Sequence, residues 1–444
     1  MGMNRRELLK GGTFLALSGA FGMASAMLPS EQAAHDAWHR KVIVKPDRLI
    51  DSPPVLMAAQ PTSMGVVFAV NGLSLGFAEV SETSDFANAQ RFKTEGMPFA
   101  QISARVQKVR MTGLKPATKY HYRIGAAALG NAVGYWRKTS EIEWGEPHVF
   151  TTPGAAADSS FAVINDTHGR FDAFERLTDR IRSLGVAALI WNGDVARSKI
   201  ETEEEAVGIF LKPQIANSAY AADIPMYFLH GNHDHRGLWN QVHGDDILMT
   251  RTCGERGSGF AAIGHNFAVR QGDIALLGLE TGEDKPDWHP SFGGCGNFRA
   301  FRELQTKWLK LQFRRPEIAD APFKVAFCHI PLFSPDPNAN NGEVLEDFAS
   351  WQGFCAQEWG PILNANGVSA VIAGHTHHFR FDKADGEKRR WDQIVGGGPN
   401  LGSANPACAP TVIAGKVVDG KLVITVHSCA DGTVLGSWTY GRVV

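Results

Sequence analysis

The chain has 444 residues, 44% hydrophobic and 20% charged, with 44 basic against 46 acidic side chains and a net charge of −2. Such a composition excludes a disordered or collagen-like polymer and supplies apolar mass for two or three domain cores. No basic excess marks an obligatory nucleic-acid partner, and six cysteines are too few for a disulfide-built scaffold.

In chain order, residues 1–26 read as an export signal. Asn4-Arg5-Arg6-Glu7-Leu8-Leu9-Lys10 precedes a mildly apolar run from Gly11 to Ala26 that ends in Ala24-Ser25-Ala26. A basic start, a short apolar stretch and a small-x-small site describe a cleaved signal peptide rather than a membrane span. The adjacent arginines followed by Leu-Leu-Lys resemble a bacterial twin-arginine signal. The expectation is therefore a periplasmic or secreted protein, handled by the twin-arginine export machinery, with no membrane span in the mature chain.

Residues 40–152 read as a β-sandwich. Extended runs at Val42–Val44, Val55–Ala58, Gly65–Val70, Phe77–Val80, Ile102–Met111, Thr118–Ile124 and Pro147–Thr151 are separated by turn residues. Within them, Leu114-Lys115-Pro116-Ala117-Thr118-Lys119-Tyr120-His121-Tyr122 resembles the tyrosine corner of fibronectin type III domains. The resemblance implies that the Tyr120 hydroxyl ties back to the upstream backbone. Thr151-Thr152-Pro153-Gly154 then reads as the start of a linker.

From 158 to 444 the pattern becomes α/β. Apolar runs at Phe161–Ile164, Ala187–Trp191, Met226–Leu229, Ile274–Leu279, Lys324–Cys328, Val368–Ala373 and Gln393–Val395 alternate with amphipathic stretches. Phe171, Phe174, Leu177, Ile181 and Leu184 fall at helical spacing, as do Phe301, Leu304, Trp308 and Leu311. The segment Thr411–Val444 returns to β pattern.

Polar residues follow directly on these runs: Asn165-Asp166-Thr167-His168, Asn192-Gly193-Asp194, His230-Gly231-Asn232-His233-Asp234, His329, and Gly374-His375-Thr376-His377. Tails at the carboxyl ends of strands converge in space. Carboxylates and imidazoles without thiolates suit catalytic zinc, iron, manganese or cobalt rather than a structural zinc site. The donors exceed what one open catalytic ion needs and suffice for two ions sharing a carboxylate. Such a pair is a standard device for displacement at phosphorus.

The ordered set Asp-x-His, Gly-Asp, Gly-Asn-His-Asp, His and Gly-His-x-His resembles the calcineurin-like metallophosphoesterase family. The resemblance implies an α/β four-layer sandwich at 158–444 behind the N-terminal β-sandwich. It also implies hydrolysis of phosphomonoesters or phosphodiesters by a metal-bridging hydroxide at two divalent ions (Mn, Fe, Zn or Co). Carried onto this chain, Asp166, His168 and His377 hold the first ion. Asn232, His329 and His375 hold the second, and Asp194 bridges them. His233 is the catalytic residue that meets the phosphoryl group or protonates the leaving oxygen. The contrasting expectation is an inactive, phosphatase-like binding or adhesion protein; it would have lost a ligand or His233, and none is missing.

A fibronectin-like module ahead of this domain resembles the purple acid phosphatases. Those enzymes carry Asp-x-Gly at the first motif and a tyrosine three residues after the bridging aspartate. Here the positions hold His168 and Arg197. Losing a phenolate and gaining an imidazole implies divalent ions without the purple colour, with Arg197 at the surface or in a salt bridge. Among the remaining residues, Cys253 and Cys295 are read as a bridge between loops and Cys328 as a buried thiol. His35, His39, His121, His148, His243, His265 and His427 are read as surface or core residues. His235, His289 and His378 are candidates for substrate contact. Thr281–Gly296 and Pro331–Gly342, with Asp336, Asn338, Asn340 and Asn341, are read as loops shaping access. Phe333, Trp351 and Trp359 are read as core.

Overall fold

A computed structural model describes residues 46–130, 138–247, 260, 263–335 and 345–442. The expected leader, the strand at Val42–Val44 and the four polar residues 336–341 lie outside the described residues. The other expected strands form, with ends shifted by a few residues.

Three parallel strands sit at the centre: Ser160–Ile164, Leu189–Asn192 and Met226–Leu229, every residue buried. Burial on both faces explains why they read as unbroken apolar runs. Antiparallel strands Thr411–Val418, Lys421–Ser428 and Val434–Tyr440 extend this sheet on one side. A second sheet takes the order Phe267–Gln271, Ile274–Gly278, Phe323–Phe327, Ala370–Ala373, Asp392–Val395, Arg380–Asp382. The two sheets face each other through aromatic contacts, with Phe161 edge-on to Phe327 at 5.4 Å and Tyr227 on Phe267 at 4.6 Å between centroids.

Helices close the outer faces. Phe171–Leu184 buries Phe174, Leu177 and Ile181 against Ile164, Leu189 and Trp191 of the first sheet. It stops where Gly185 adopts φ 59° and its N–H donates to the carbonyls of Ile181 and Arg182. Phe298–Gln312 and Leu345–Ala365 cover the second sheet, with Trp308, Leu309, Trp359 and Leu363 packed on Leu277, Ala326 and Val371. The result is a helix–sheet–sheet–helix sandwich, as the family resemblance implies.

The N-terminal strands divide between two sheets. Ser74–Ser81 pairs with Gln90–Lys93 and with Lys119–Gly130 in a sheet of their own. Val55–Gln60, Ser63–Ala69 and Val106–Thr112 instead continue the first sheet, with Met57 opposite Met226 and the Leu56 N–H donating to the Ala221 carbonyl at 2.9 Å. Apolar alternation marks a strand's buried face without naming its neighbour, so this continuity is not legible in the sequence. Buried tyrosines reinforce it. The Tyr122 hydroxyl donates to the Ala222 carbonyl at 2.6 Å, and the Tyr227 hydroxyl to the Ala59 carbonyl at 3.0 Å. Arg105 pairs with Glu204, and Lys212 with Asp51. The Tyr120 hydroxyl accepts from the Lys115 N–H at 2.9 Å, the corner bond expected of it.

Cys253, read as the partner of Cys295, lies outside the described residues; Cys295 itself is exposed. Cys328 is a buried free thiol, as expected. Among the described residues, no helix is long and apolar enough to cross a membrane.

Because the central sheet runs through both halves, denaturant unfolding followed by tryptophan fluorescence and by far-ultraviolet circular dichroism is expected to give one coincident transition. Tyr122→Phe strands the buried Ala222 carbonyl and is expected to lower stability by about 1–3 kcal/mol while keeping that single transition. Two separate transitions in the unsubstituted protein would contradict the continuity.

Candidate metal centre

Each motif lies just past a strand end: Asp166 and His168, Asp194, and Asn232 from the first sheet, His329, His375 and His377 from the second. The turns are tight. Asp166, His168, Asp194, His375 and His377 all have positive φ, between 44° and 71°, a region that non-glycine residues seldom occupy. Strain of this kind persists where the surroundings over-determine the backbone, and it clusters at functional sites. Gly193 (φ 85°) and Gly231 make the crossing possible. A Cβ on Gly231 would lie 2.2 Å from an Asp194 carboxylate oxygen, and one on Gly193 2.5 Å from the Gly231 nitrogen.

The side chains converge on two overlapping groups. Asp166, His168, Asp194 and His377 form one and Asp194, His329 and His375 the other; within each, the donor atoms lie within 4.8 Å of one another. Asp194 belongs to both. Its Oδ2 faces His329 Nε2 at 3.3 Å and His168 Nε2 at 3.5 Å, while its Oδ1 accepts the His233 N–H at 2.9 Å. Asp166 Oδ2 accepts from Asn165 Nδ2 at 2.5 Å and from the His375 N–H at 2.8 Å. The Asn232 Oδ1 lies 3.0 Å from His375 Nδ1.

These groups suit metal ions. The Nδ1 of His168 lies 3.1 Å from the Ala196 carbonyl and that of His329 2.8 Å from the Asn192 carbonyl. A carbonyl only accepts, so each Nδ1 carries a proton and each Nε2 faces the carboxylates, the usual support for an imidazole that would ligate a metal through Nε2. Asp166 Oδ1 and His329 Nε2 are buried without a hydrogen-bond partner. The Nε2 atoms of His168 and His377 approach to 2.9 Å. Electrostatics agree. Burial disfavours charge on His168 and His329, yet the carboxylates of Asp166 and Asp194 raise their pKa values to about 9 and about 10. Burial and the nearby His329 push His375 down to about 4. Two buried carboxylates thus call for positive charge at this point.

The rim holds further residues. His233 stacks edge-on to His168 at 4.9 Å, its Nε2 4.0 Å from Asp194 Oδ2 and 3.4 Å from the Arg236 guanidinium. Arg236 is clamped by Glu283 and Asp284 from the loop expected to shape access. Arg197 is exposed, and only its carbonyl approaches His168. His289 and His378 stand apart from the metal groups, bonded to Ser291 and near Asn405.

Sequence reasoning missed several supporting roles. Asp234, read only as part of a motif, is buried; it accepts from Val195 and Ala196 with one oxygen and from Gly231 with the other, tying two motif loops together. Asn192 donates from its side chain to the Cys328 carbonyl across the sheets at 2.9 Å. His230, His235 and Glu280 form a third cluster. His265, read as bland, is buried with its ring 4.0 Å from that of His230.

Comparison with known proteins agrees with this geometry. The family model of calcineurin-like phosphoesterases matches residues 159–379. The purple acid phosphatase PPD1 from yellow lupin (Lupinus luteus) seeds is similar in structure over 88% of this chain and 74% of its own, with a TM-score of 0.60 at 13% identity. GAP50, the anchor in the inner membrane complex of Plasmodium, aligns over 65% of this chain and 90% of its own at 12% identity, with a TM-score of 0.45. No curated protein matches the chain. The matched segment contains Asp166, Asp194, His233, His329 and His377, and the lupin enzyme shares the fold on both sides of it. Through residues 159–379 the chain belongs to the calcineurin-like phosphoesterase family.

Proposed function

We propose that the protein is an exported phosphoesterase that hydrolyses phosphomonoesters or phosphodiesters of small molecules at a pair of divalent ions. The observation that carries this reading is the membership of Asp194 in both donor groups. Asp166, His168 and His377 would hold one ion and Asn232, His329 and His375 the other, with Asp194 between them. When bound, two divalent ions supply Lewis-acid charge that activates water and neutralises phosphoryl oxygens. The chain's own residues do the rest. Asp166 and Asp194 provide the negative charge that fixes the ions, and the carbonyls of Ala196 and Asn192 hold two imidazoles in the ligating tautomer. His233, at the rim, is placed to meet the phosphoryl group or deliver a proton to the leaving oxygen.

The described tyrosines support divalent ions without a phenolate. Tyr120, Tyr122, Tyr220, Tyr227 and Tyr440 each bond elsewhere. Manganese, iron(II), zinc and cobalt fit the imidazole and carboxylate set. Residues 40–152 act as a β-rich support for the catalytic region at 158–444, and 1–26 as the twin-arginine leader that takes the protein to the periplasm or beyond.

Asp194→Asn is expected to lower bound metal at both positions by elemental analysis, since one carboxylate serves two cations. His233→Asn is expected to keep its metal and lose turnover by about 100-fold or more on aryl phosphomonoester, aryl phosphodiester or nucleotide substrates. Full metal retention in Asp194→Asn, or metal loss in His233→Asn, would overturn the assignment. Replacing Arg5 and Arg6 by lysine is expected to hold the precursor in the cytoplasm; undiminished processed protein outside it would contradict the export route.

A further inference from the structure

We propose that His230, His235 and Glu280 form a third metal site, taking one divalent ion of the zinc, cobalt or iron(II) class, independent of the pair around Asp194. The three donor atoms lie within 4.8 Å of one another and share no residue with the other groups. Glu280 carries the arrangement. Its Oε2 lies 3.2 Å from His230 Nδ1 and its Oε1 2.8 Å from His235 Nε2, with only 2% of the side chain exposed. A carboxylate this buried is costly unless countercharged. Burial opposes its ionisation, but the two imidazoles outweigh that and hold it well below the usual carboxylate range.

Two imidazoles and one carboxylate form the protein share of an open zinc or non-haem iron site, with remaining positions left for water or ligand. Here the open side has room, because His230, His235 and Glu280 line a cavity of about 1060 Å³. Support behind the donors is built in. Asn266 Oδ1 accepts both the Glu280 N–H at 3.0 Å and the Gln305 amide at 2.9 Å. Gln305 donates as well to the Glu280 carbonyl, fixing the backbone from which the carboxylate projects.

The placement gives the ion a task. His230 follows the strand Met226–Leu229 and His235 closes the short 3₁₀ turn His233–His235, so the pair brackets Asn232 and His233. Glu280 comes from beyond Ile274–Gly278 in the other sheet. An ion bound here would staple both ends of the segment carrying a proposed ligand and the proposed acid to the opposite sheet. Apart from such an ion, that segment is held to the Asp194 loop by the Asp234 carboxylate, which accepts from both, and by the His233 N–H on the Asp194 carboxylate.

The test is metal stoichiometry on the full-length chain after saturation with Zn²⁺ or Co²⁺ and gel filtration. Three ions per chain are expected, one for each donor group. Glu280→Gln and His235→Ala are each expected to lose one ion and part of the Co²⁺ visible absorption, with circular dichroism unchanged. His235 is less buried than Glu280, so its variant keeps the test valid if Glu280→Gln does not fold. A chain carrying both Asp194→Asn and His329→Ala is expected to keep one ion, and that ion should disappear on adding His235→Ala. An unsubstituted chain that stops at two ions, with both variants unchanged, would overturn the third site: the cluster would then hold protons only. A chain that binds a single ion, lost with His235→Ala, would uphold this site while refuting the dinuclear reading.

Discussion

The Asp194 carboxylate has one oxygen on the His233 N–H and the other 3.3–3.5 Å from the imidazoles of His329 and His168. Almost everything around it serves to keep it there. Its own backbone is left-handed, Gly193 and Gly231 cross beside it with no room for a Cβ, and Asp234 pins the loops on either side. A carboxylate so deeply buried is stable only with compensating positive charge. That requirement explains why the surrounding imidazoles come from both sheets and why the backbone tolerates five strained residues in three turns.

The architecture follows from that convergence. Parallel strands deliver their polar tails to one end, and stacking two sheets face to face brings tails from both to one place. The interlocked aromatic layer, Phe161 on Phe327 and Tyr227 on Phe267, sets the spacing between the sheets and hence between the donor groups. The N-terminal strands are part of this rigidity. Val55–Gln60 lies alongside Met226–Leu229, the strand that leads into His230, Asn232 and His233. A β-rich segment without chemistry of its own can thus bear on the site through the sheet it extends.

The sequence disclosed the centre well because two signals coincided: unbroken apolar runs marked buried parallel strands, and each run ended in Asp, Asn or His. Strand pairing was another matter. Nothing in the pattern of Val55–Ala58 tells that its neighbour is a strand some 170 residues on, because pairing is settled by tertiary packing. His230, His235 and Glu280 escaped for a related reason. Glu280 stands at the end of an apolar run without a motif around it, and His230 reads as padding before Gly-Asn-His-Asp. His265 looked like one more core histidine, since nothing local indicates that two ring-bearing loops and a buried carboxylate meet.

The most direct measurement is anomalous X-ray diffraction from crystals of the manganese-loaded protein, collected on both sides of the metal edge. Two anomalous peaks are expected near Asp194, each within about 2.0–2.3 Å of one of its carboxylate oxygens. One should also contact Asp166, His168 and His377, and the other Asn232, His329 and His375. A single peak in this region, or two peaks of which only one touches Asp194, would contradict the shared carboxylate on which the site is built.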